Sequence, residues 1–587
     1  MACFVSGTTI VVTSRLTEDD DPAASARPEV ATWPQTARER AHTCFLLARH
    51  AGRGFNRWRE RHPRISWAAA LTLAAIVLFL GYLRAAQTIA PSSDPAGQAL
   101  QAWAMWHGNP LLRGWWLGDV SFYTVELPLN VAIEMVVGLG PGEIHVLAAV
   151  VYAAVLLLAA LLARGKARGG AGAARALLAA GVMLAPSSRL GTRVLLQGPD
   201  HMGTMIPVLA AFLVLDRARE RWWVPVIVGV LLTGAQVSDE QATFAGALAL
   251  AVACGVRACA VVVRRRRPLR ECWFDASLLA AALVSVAAAH VILSAIHGAG
   301  GFLVPPPKNG MGFAPAAALP GQLRTTGSNV LILFGADFIG QPMSISAVFA
   351  VLHLSCVALG LAGLLIGMWR FFGRLDRVSQ ALVAGTLIIL GAGALGNYMA
   401  PVTGAHEILP VLPFCAVLAG RLLAGRRVAS RLKLVLSSGL AVLVAVVVAA
   451  LAYTDVQPTP APQNALGAWL AAHDLTSGLA GYWESNITTV NTGGQVRLAP
   501  VTNGGTTAEP YESDADWYDP AKFQANFIVS FAGSPDLSPV SSATVRAWYG
   551  APVRVYDFDG YTVMVYDYNL LTRVTVPAGP WNGFRPG

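Results

Sequence analysis

Carboxylates recur in this sequence where its apolar runs stop. Asp94 stands in PSSDPAG, Glu126 in TVELP, Asp200 and His201 in QGPDHMG, and Asp239 and Glu240 in QVSDEQ. Acids so far apart along the chain meet only if helices pack as a bundle and bring their ends together. Gathered in one cavity, such a carboxylate can act as general base toward an acceptor hydroxyl. Basic residues also stand on the predicted outer side, against the positive-inside trend, and so invite a reason: Arg189 and Arg193 in SSRLGTRVLLQ, Lys308 and Arg324 in a Gly/Pro-rich stretch, and His406 in GAHEIL.

Each residue also has a plainer reading. Ser92, Ser93 and Asp94 ahead of Pro95 form a helix start, so Asp94 can be a cap. Asp200 at a helix start favours the macrodipole. Asp239 and Glu240 can be a polar turn between spans, and Glu126 a structural or acceptor-orienting group. Arg189 and Arg193 can meet lipid headgroups.

The elements that must position these residues are membrane helices. Of 587 residues, 55% are hydrophobic and only 13% charged, which is more apolar surface than a soluble chain buries. The formal charge of +9 is carried by short basic clusters between apolar runs, a topology signal that does not point to nucleic acid. About eleven runs are long enough to cross a bilayer, near 65–83, 143–163, 173–187, 202–216, 223–237, 241–263, 275–297, 345–369, 379–396, 407–425 and 431–453. The basic clusters then alternate onto one side, which puts the N-terminus in the cytoplasm and everything after Tyr453 outside. The seven cysteines show no metal-ligand spacing.

Three regions are predicted: a basic cytoplasmic tail over 1–64, a transmembrane domain over 65–453, and a small extracytoplasmic α/β domain over 454–587. Within 84–142 the tryptophans Trp103, Trp106, Trp115 and Trp116 predict two interfacial helices joined at Asn109-Pro110, anchored in the headgroup zone. The Gly/Pro-rich stretch near 298–329 reads as a lid or linker. In the last region NALGAWLAAHDL reads as a helix; GGQVRLAPV, NFIVSFA and APVRVYDFDGYTVMVYDYN read as strands, with a hairpin turn at Asp559-Gly560. LAGYWESNITTVNTGG and EPYESDADWYDP mix aromatics with acids, as carbohydrate-contacting surfaces do.

The aspartate after the first span, the following amphipathic helix, the GNP turn and the aromatic stretch ending in ELP resemble the first external loop of GT-C glycosyltransferases. The resemblance implies a polytopic enzyme, similar to protein mannosyltransferases and aminoarabinose transferases, that uses a polyprenyl-phosphate sugar donor at the extracytoplasmic face. It implies a cell-envelope glycan, lipid or protein as acceptor and a bacterial plasma membrane as location. Asp94 then takes the place of the catalytic acid, and Asp200 that of an assisting acid. Tyr398 in GNYMAPVTGAHEILP matches a donor-phosphate element, with Asn397 where the family commonly has arginine. The family's frequent Asp-Glu pair is here Asp94 alone. A divalent cation fits this chemistry, although no second ligand cluster is visible. Two rival classes are a flippase of lipid-linked saccharides, for which repeats and mid-span charges are few, and a non-catalytic scaffold whose external domain binds glycan or protein.

Overall fold

The computed structural model describes residues 61–184, 189–198, 200–264, 269–305, 312–373, 375–424, 458–461, 463–531, 533 and 540–577. The chain divides into two compact units, Met1–Thr72 and Leu73–Gly587. Of the first, the described part begins at Arg61 and includes the start of the helix Pro63–Ala86; of the predicted basic tail over 1–64, residues 1–60 lie outside the described residues. Everything below concerns the second unit.

Every apolar segment predicted up to 407–425 overlies a helix, whereas 431–453 lies outside the described residues. Six helices are long and apolar enough to cross a membrane, among them Pro141–Arg164, Trp273–Gly298 and Arg377–Leu395, and Gly169–Met183, Trp223–Ser238 and Val411–Leu423 are shorter apolar helices. Large apolar side chains such as Ile76, Leu283, Val291 and Leu352 stand exposed on the outer faces of these helices. Such surface is costly in water and stable in lipid. The chain is a multi-pass membrane protein.

At one end of the bundle the helix termini are tied by ion pairs. Arg421 meets Asp216 at 2.5 Å and Asp376 at 3.4 Å, and Arg377 meets Asp275 at 2.5 Å and Glu220 at 2.6 Å. Arg164 and Arg217, from two of the basic clusters, lie at the ends of their helices here. The helix Met205–Arg217 runs from there to the opposite end, where the carboxylates gather.

The Gly/Pro-rich stretch departs from expectation, because Leu319–Leu333 is a helix. Pro320 falls in its first turn, where a missing N–H costs nothing. The interfacial region also differs. Its helices are Ser93–Trp106 and Glu126–Val137, and between them Trp115–Trp116 forms a short strand antiparallel to Ser513–Asp514. Trp115 and Trp116 are therefore buried rather than anchored among headgroups. Trp115 packs edge-on against Trp517, with ring centroids 5.3 Å apart.

The C-terminal region carries a six-stranded sheet in the order Thr507–Ala508, Arg497–Thr502, Ser477–Ala480, Phe527–Phe531, Tyr561–Val565, Arg554–Phe558. Its centre is parallel and its edges antiparallel. The predicted strands and the helix Asn464–Ala472 are in place. Asp559 and Gly560, with φ of 47° and 82°, make the predicted hairpin turn.

Candidate active site between bundle and sheet

Asp94 lies in the first turn of the helix Ser93–Trp106. It does not cap that helix: Ser92 occupies the N-cap, with no side-chain cap bond. The carboxylate is instead met by the C-terminal sheet region. The Tyr482 hydroxyl is 2.6 Å from Asp94 Oδ1 and 2.8 Å from Glu512 Oε2, while Ser93 Oγ donates to the Tyr482 carbonyl at 2.7 Å. Burial raises the Asp94 carboxyl to about 6, against the lowering effect of the Tyr482 bond and with added repulsion from Asp200 and Asp119. Asp94 therefore lies within electrostatic reach of Asp200 and Asp119.

Asp200 and His201 open the turn before Met205–Arg217. His201 adopts φ of 52°, a left-handed conformation that costs a non-glycine residue about 1 kcal/mol and is retained only where the surroundings enforce it. Two carboxylates enforce it here. His201 Nδ1 donates to Asp239 Oδ2 at 2.9 Å, and Nε2 lies 3.6 Å from Asp200 Oδ1. A hydrogen-bonded carboxylate on Nδ1 and a second carboxylate within ion-pair distance of Nε2 both favour the charged ring. Burial alone would lower its pKa, but Asp239 and Asp200 raise it well above the ordinary histidine value. His406 Nδ1 stands 3.0 Å from Asp200 Oδ2. Burial would raise Asp200, but the positive charges of His406 and His201 hold it well below the usual carboxylate range.

Asp239 ends the helix Trp223–Ser238, and its Oδ1 accepts from the Gln241 backbone N–H at 2.7 Å. It serves both as the turn expected of it and as partner to His201. The π-helix Thr243–Leu248 follows directly, an irregularity frequent near functional sites. Gln241 Nε2 donates to the Glu407 carbonyl at 3.0 Å, tying this turn to the segment that carries His406. Glu126 is fully buried. Burial raises it to about 8, Ser238 Oγ donates to its Oε2 at 2.8 Å, and a side chain at Gly203 would collide with it at 2.3 Å. It is a neutral strut behind His201.

A cavity of about 920 Å³ adjoins this cluster. Asp119, His201, Asp239, Glu240, Tyr398 and Glu407 line its polar part; Phe244, Leu293, Phe302, Leu303, Ile389 and Leu395 line an apolar part. Asp94 and Asp200 are not in its wall but border it through Asp119 and His201, with which they interact. Burial, with the charge of Glu407, pushes the Tyr398 hydroxyl up to about 12, so it remains a donor at neutral pH.

Other expected residues fall elsewhere. Arg193 is exposed and donates to Gln197 Oε1 at 3.0 Å, and Arg324 is exposed on its helix. Neither belongs to the cavity wall. The Arg189 side chain and Lys308 lie outside the described residues. Among the described residues no three His, Cys, Asp or Glu side chains are arranged to hold a metal ion. Asp200 and Asp239 are instead paired with histidines. The expectations did not include Asp119, Glu407, Tyr482 and Glu512. The last two lay in the aromatic and acidic segments of the C-terminal region, and that composition was their signal.

No protein-family model matches the sequence, and no curated protein matches it. Solved structures similar to this chain include ArnT from Cupriavidus metallidurans bound to undecaprenyl phosphate, at 15% identity, TM-score 0.49, covering 88% of this chain and 100% of the other. They also include the Archaeoglobus fulgidus oligosaccharyltransferase tethered with an acceptor peptide, at 15% identity, TM-score 0.42, covering 81% and 70%. The same archaeal enzyme, AglB, in complex with an inhibitory peptide and a dolichol-phosphate matches at 13% identity, TM-score 0.42, covering 80% and 70%.

Proposed function

We propose that this chain is an inverting integral-membrane glycosyltransferase of GT-C type. It transfers a sugar from a polyprenyl-phosphate donor to a glycan, lipid or protein of the cell envelope, on the extracytoplasmic side of the plasma membrane. The observation that carries this reading is a buried carboxylate, Asp94, held with the Asp200–His201–Asp239–His406 network beside a cavity that is polar in one part and apolar in the other. An amphiphile with a polar head and an isoprenoid tail has the matching polarity.

In this mechanism Asp94 takes the proton of the acceptor hydroxyl. The acceptor oxygen bonds to the anomeric carbon, and the bond from that carbon to the phosphate oxygen breaks with its electron pair leaving on the phosphate. A carboxyl raised to about 6 is ionised at neutral pH yet a better base than an ordinary aspartate. Protonated His201 supplies positive charge toward the departing phosphate, and the Tyr398 hydroxyl donates to it. Arg193 and Arg324 take no part, and no step runs through a metal ion.

The test is sugar transfer from labelled polyprenyl-phosphate donors in membranes carrying the wild type or Asp94→Asn. Transfer by the wild type that falls at least about a hundredfold in the variant supports the proposal. Equal transfer by both removes Asp94 from the chemistry, and transfer by neither rejects the enzyme reading in favour of a scaffold or transporter.

A further inference from the structure

The contact between Asp94 and the sheet domain poses a question of hydrogen counting. The Tyr482 oxygen makes two close contacts with carboxyl oxygens, 2.6 Å to Asp94 and 2.8 Å to Glu512. Each contact needs a hydrogen, and an ionised carboxylate only accepts. The phenol supplies one. The second hydrogen belongs to a carboxyl, so Asp94, Tyr482 and Glu512 together hold one proton more than two ionised acids and a phenol would.

Geometry decides which acid carries it. Glu512 is 2% exposed and wedged between two glycines. A Cβ at Gly97 would meet its Oε2 at 2.1 Å, and one at Gly118 its Oε1 at 3.3 Å. Its backbone is held at φ of 48°, and Asn486 Nδ2 donates to its carbonyl at 3.1 Å. An anion there would lose its hydration without a cation in return. Asp94 is better placed for charge, because His406 acts on it and it is partly exposed. The other titratable groups facing the pair are Asp119, Asp200 and Tyr511, all of which add negative charge or none. Burial first, and then the charge of Asp94, raise the Glu512 carboxyl well above the ordinary range, in agreement with the geometry.

We propose that Glu512 and Tyr482 are positioning residues for Asp94: the sheet domain supplies a protonated carboxyl that donates to the Tyr482 oxygen, turning the single phenolic hydrogen onto Asp94 Oδ1. Asp94 is thereby kept ionised, and Oδ2, which makes no hydrogen bond among the described residues, is the atom left for the acceptor proton. The bundle alone does not build this base. The Ser93–Tyr482 bond and the pairing of Trp115–Trp116 with Ser513–Asp514 hold the sheet domain in register for it.

The role assigned to Asp94 rests on the proposed function, but the placement of the proton does not, so two measurements are made. The first is infrared difference spectroscopy of the purified full-length protein at neutral pH, comparing wild type, Glu512→Gln and Asp94→Asn. A carboxylic acid C=O band lost in Glu512→Gln and kept in Asp94→Asn is the expected result. Loss in Asp94→Asn instead, or no such band assignable to either residue, overturns the proposal whatever the activity.

The second measurement is the pH profile of kcat/KM for sugar transfer. Glutamine keeps a donor where the protonated acid had one, so Glu512→Gln leaves the acid limb in place and the rate within about twofold. Tyr482→Phe removes the donor that lowers Asp94, so its acid limb moves up by about one pH unit and the rate at neutral pH falls about twofold. An acid limb that moves down in Glu512→Gln means that Glu512 was the ionised partner, and the assignment is wrong. Absence of wild-type transfer ends the proposed function, whereas the infrared band still decides where the proton resides.

Discussion

Adding one methyl group at Gly97 sets two effects of opposite sign against each other. Alanine is favoured over glycine inside a helix by about 1 kcal/mol, and Gly97 lies within Ser93–Trp106, so local propensity predicts a gain in stability. The new Cβ, however, would lie 2.1 Å from Glu512 Oε2, 2.8 Å from its Cδ and 3.0 Å from its Cβ. A carbon–oxygen contact relaxes near 3.3 Å, so the carboxyl must retreat by roughly 1.2 Å. Its contact with Tyr482 is 2.8 Å, and such a retreat carries it beyond hydrogen-bonding range. Because the whole side chain is obstructed, rotation of its tip does not relieve the clash. Overpacking costs about 1–3 kcal/mol, which exceeds the propensity gain and leaves a net loss of about 1 kcal/mol. The assay pairs the thermal midpoint in detergent with the pH profile of sugar transfer. The expected result is a lower midpoint and a rate reduced about five- to tenfold. A Gly97→Ala protein that is both more stable and fully active would show that the approach of Glu512 to this helix has no bearing on the site.

Three further outcomes follow from the same geometry. Wild-type kcat/KM should fall about tenfold per unit below pH 6, where Asp94 becomes protonated. A carboxyl raised on folding stabilises the protein below its unfolded value, and that contribution is lost as pH rises through about 6; Asp94→Asn should therefore abolish transfer while raising the thermal midpoint at neutral pH. His201→Gln strands the buried Asp239 carboxylate and should cost about 3 kcal/mol. Since the His201 pKa is raised on folding, wild-type stability should decline in the alkaline range as that proton is lost, and unfolding of the variant should lack this decline. Ala392→Trp, in the wall of the cavity, should raise KM for a long-chain polyprenyl donor about tenfold while changing KM for a short water-soluble prenyl donor less.

What the sequence disclosed followed from period and punctuation. Apolar runs interrupted by arginine clusters gave the helices from Pro63–Ala86 to Val411–Leu423, because bilayer thickness imposes their length. Alternation around Asp559-Gly560 gave the hairpin. The acids at helix ends were visible for the same reason, and Asp94, Asp200 and Asp239 do interact around His201 and Asp119. Contacts between distant segments were not visible. Nothing local says that Trp115–Trp116 pairs with Ser513–Asp514, so tryptophans that suit a membrane interface were assigned to one. Glu512 owes its role to a left-handed backbone and to two glycines about four hundred residues upstream. A basic residue's exposure depends on packing, and so Arg193 and Arg324 could not be separated from His406 in advance.

The acids of this site differ in how each one's charge is accommodated, and the difference singles out Asp94. Asp239 is buried but answered by the His201 imidazolium and the Gln241 N–H. Asp200 is flanked by His201 and His406 and lies far below its ordinary range, which makes it a poor proton acceptor. Glu126 is raised to about 8 and is neutral at the pH where the others are charged. Glu512 is buried, raised further, and engaged with Tyr482. Asp94 has no cation in direct contact among the described residues, and burial does not hold it neutral. Burial raises Asp119 and Glu407 as well, but Asp94, raised to about 6, is the acid that receives the Tyr482 hydroxyl on one oxygen. When neighbouring carboxyls are pushed apart in this way, the one left between the extremes is the one able to exchange a proton with a substrate.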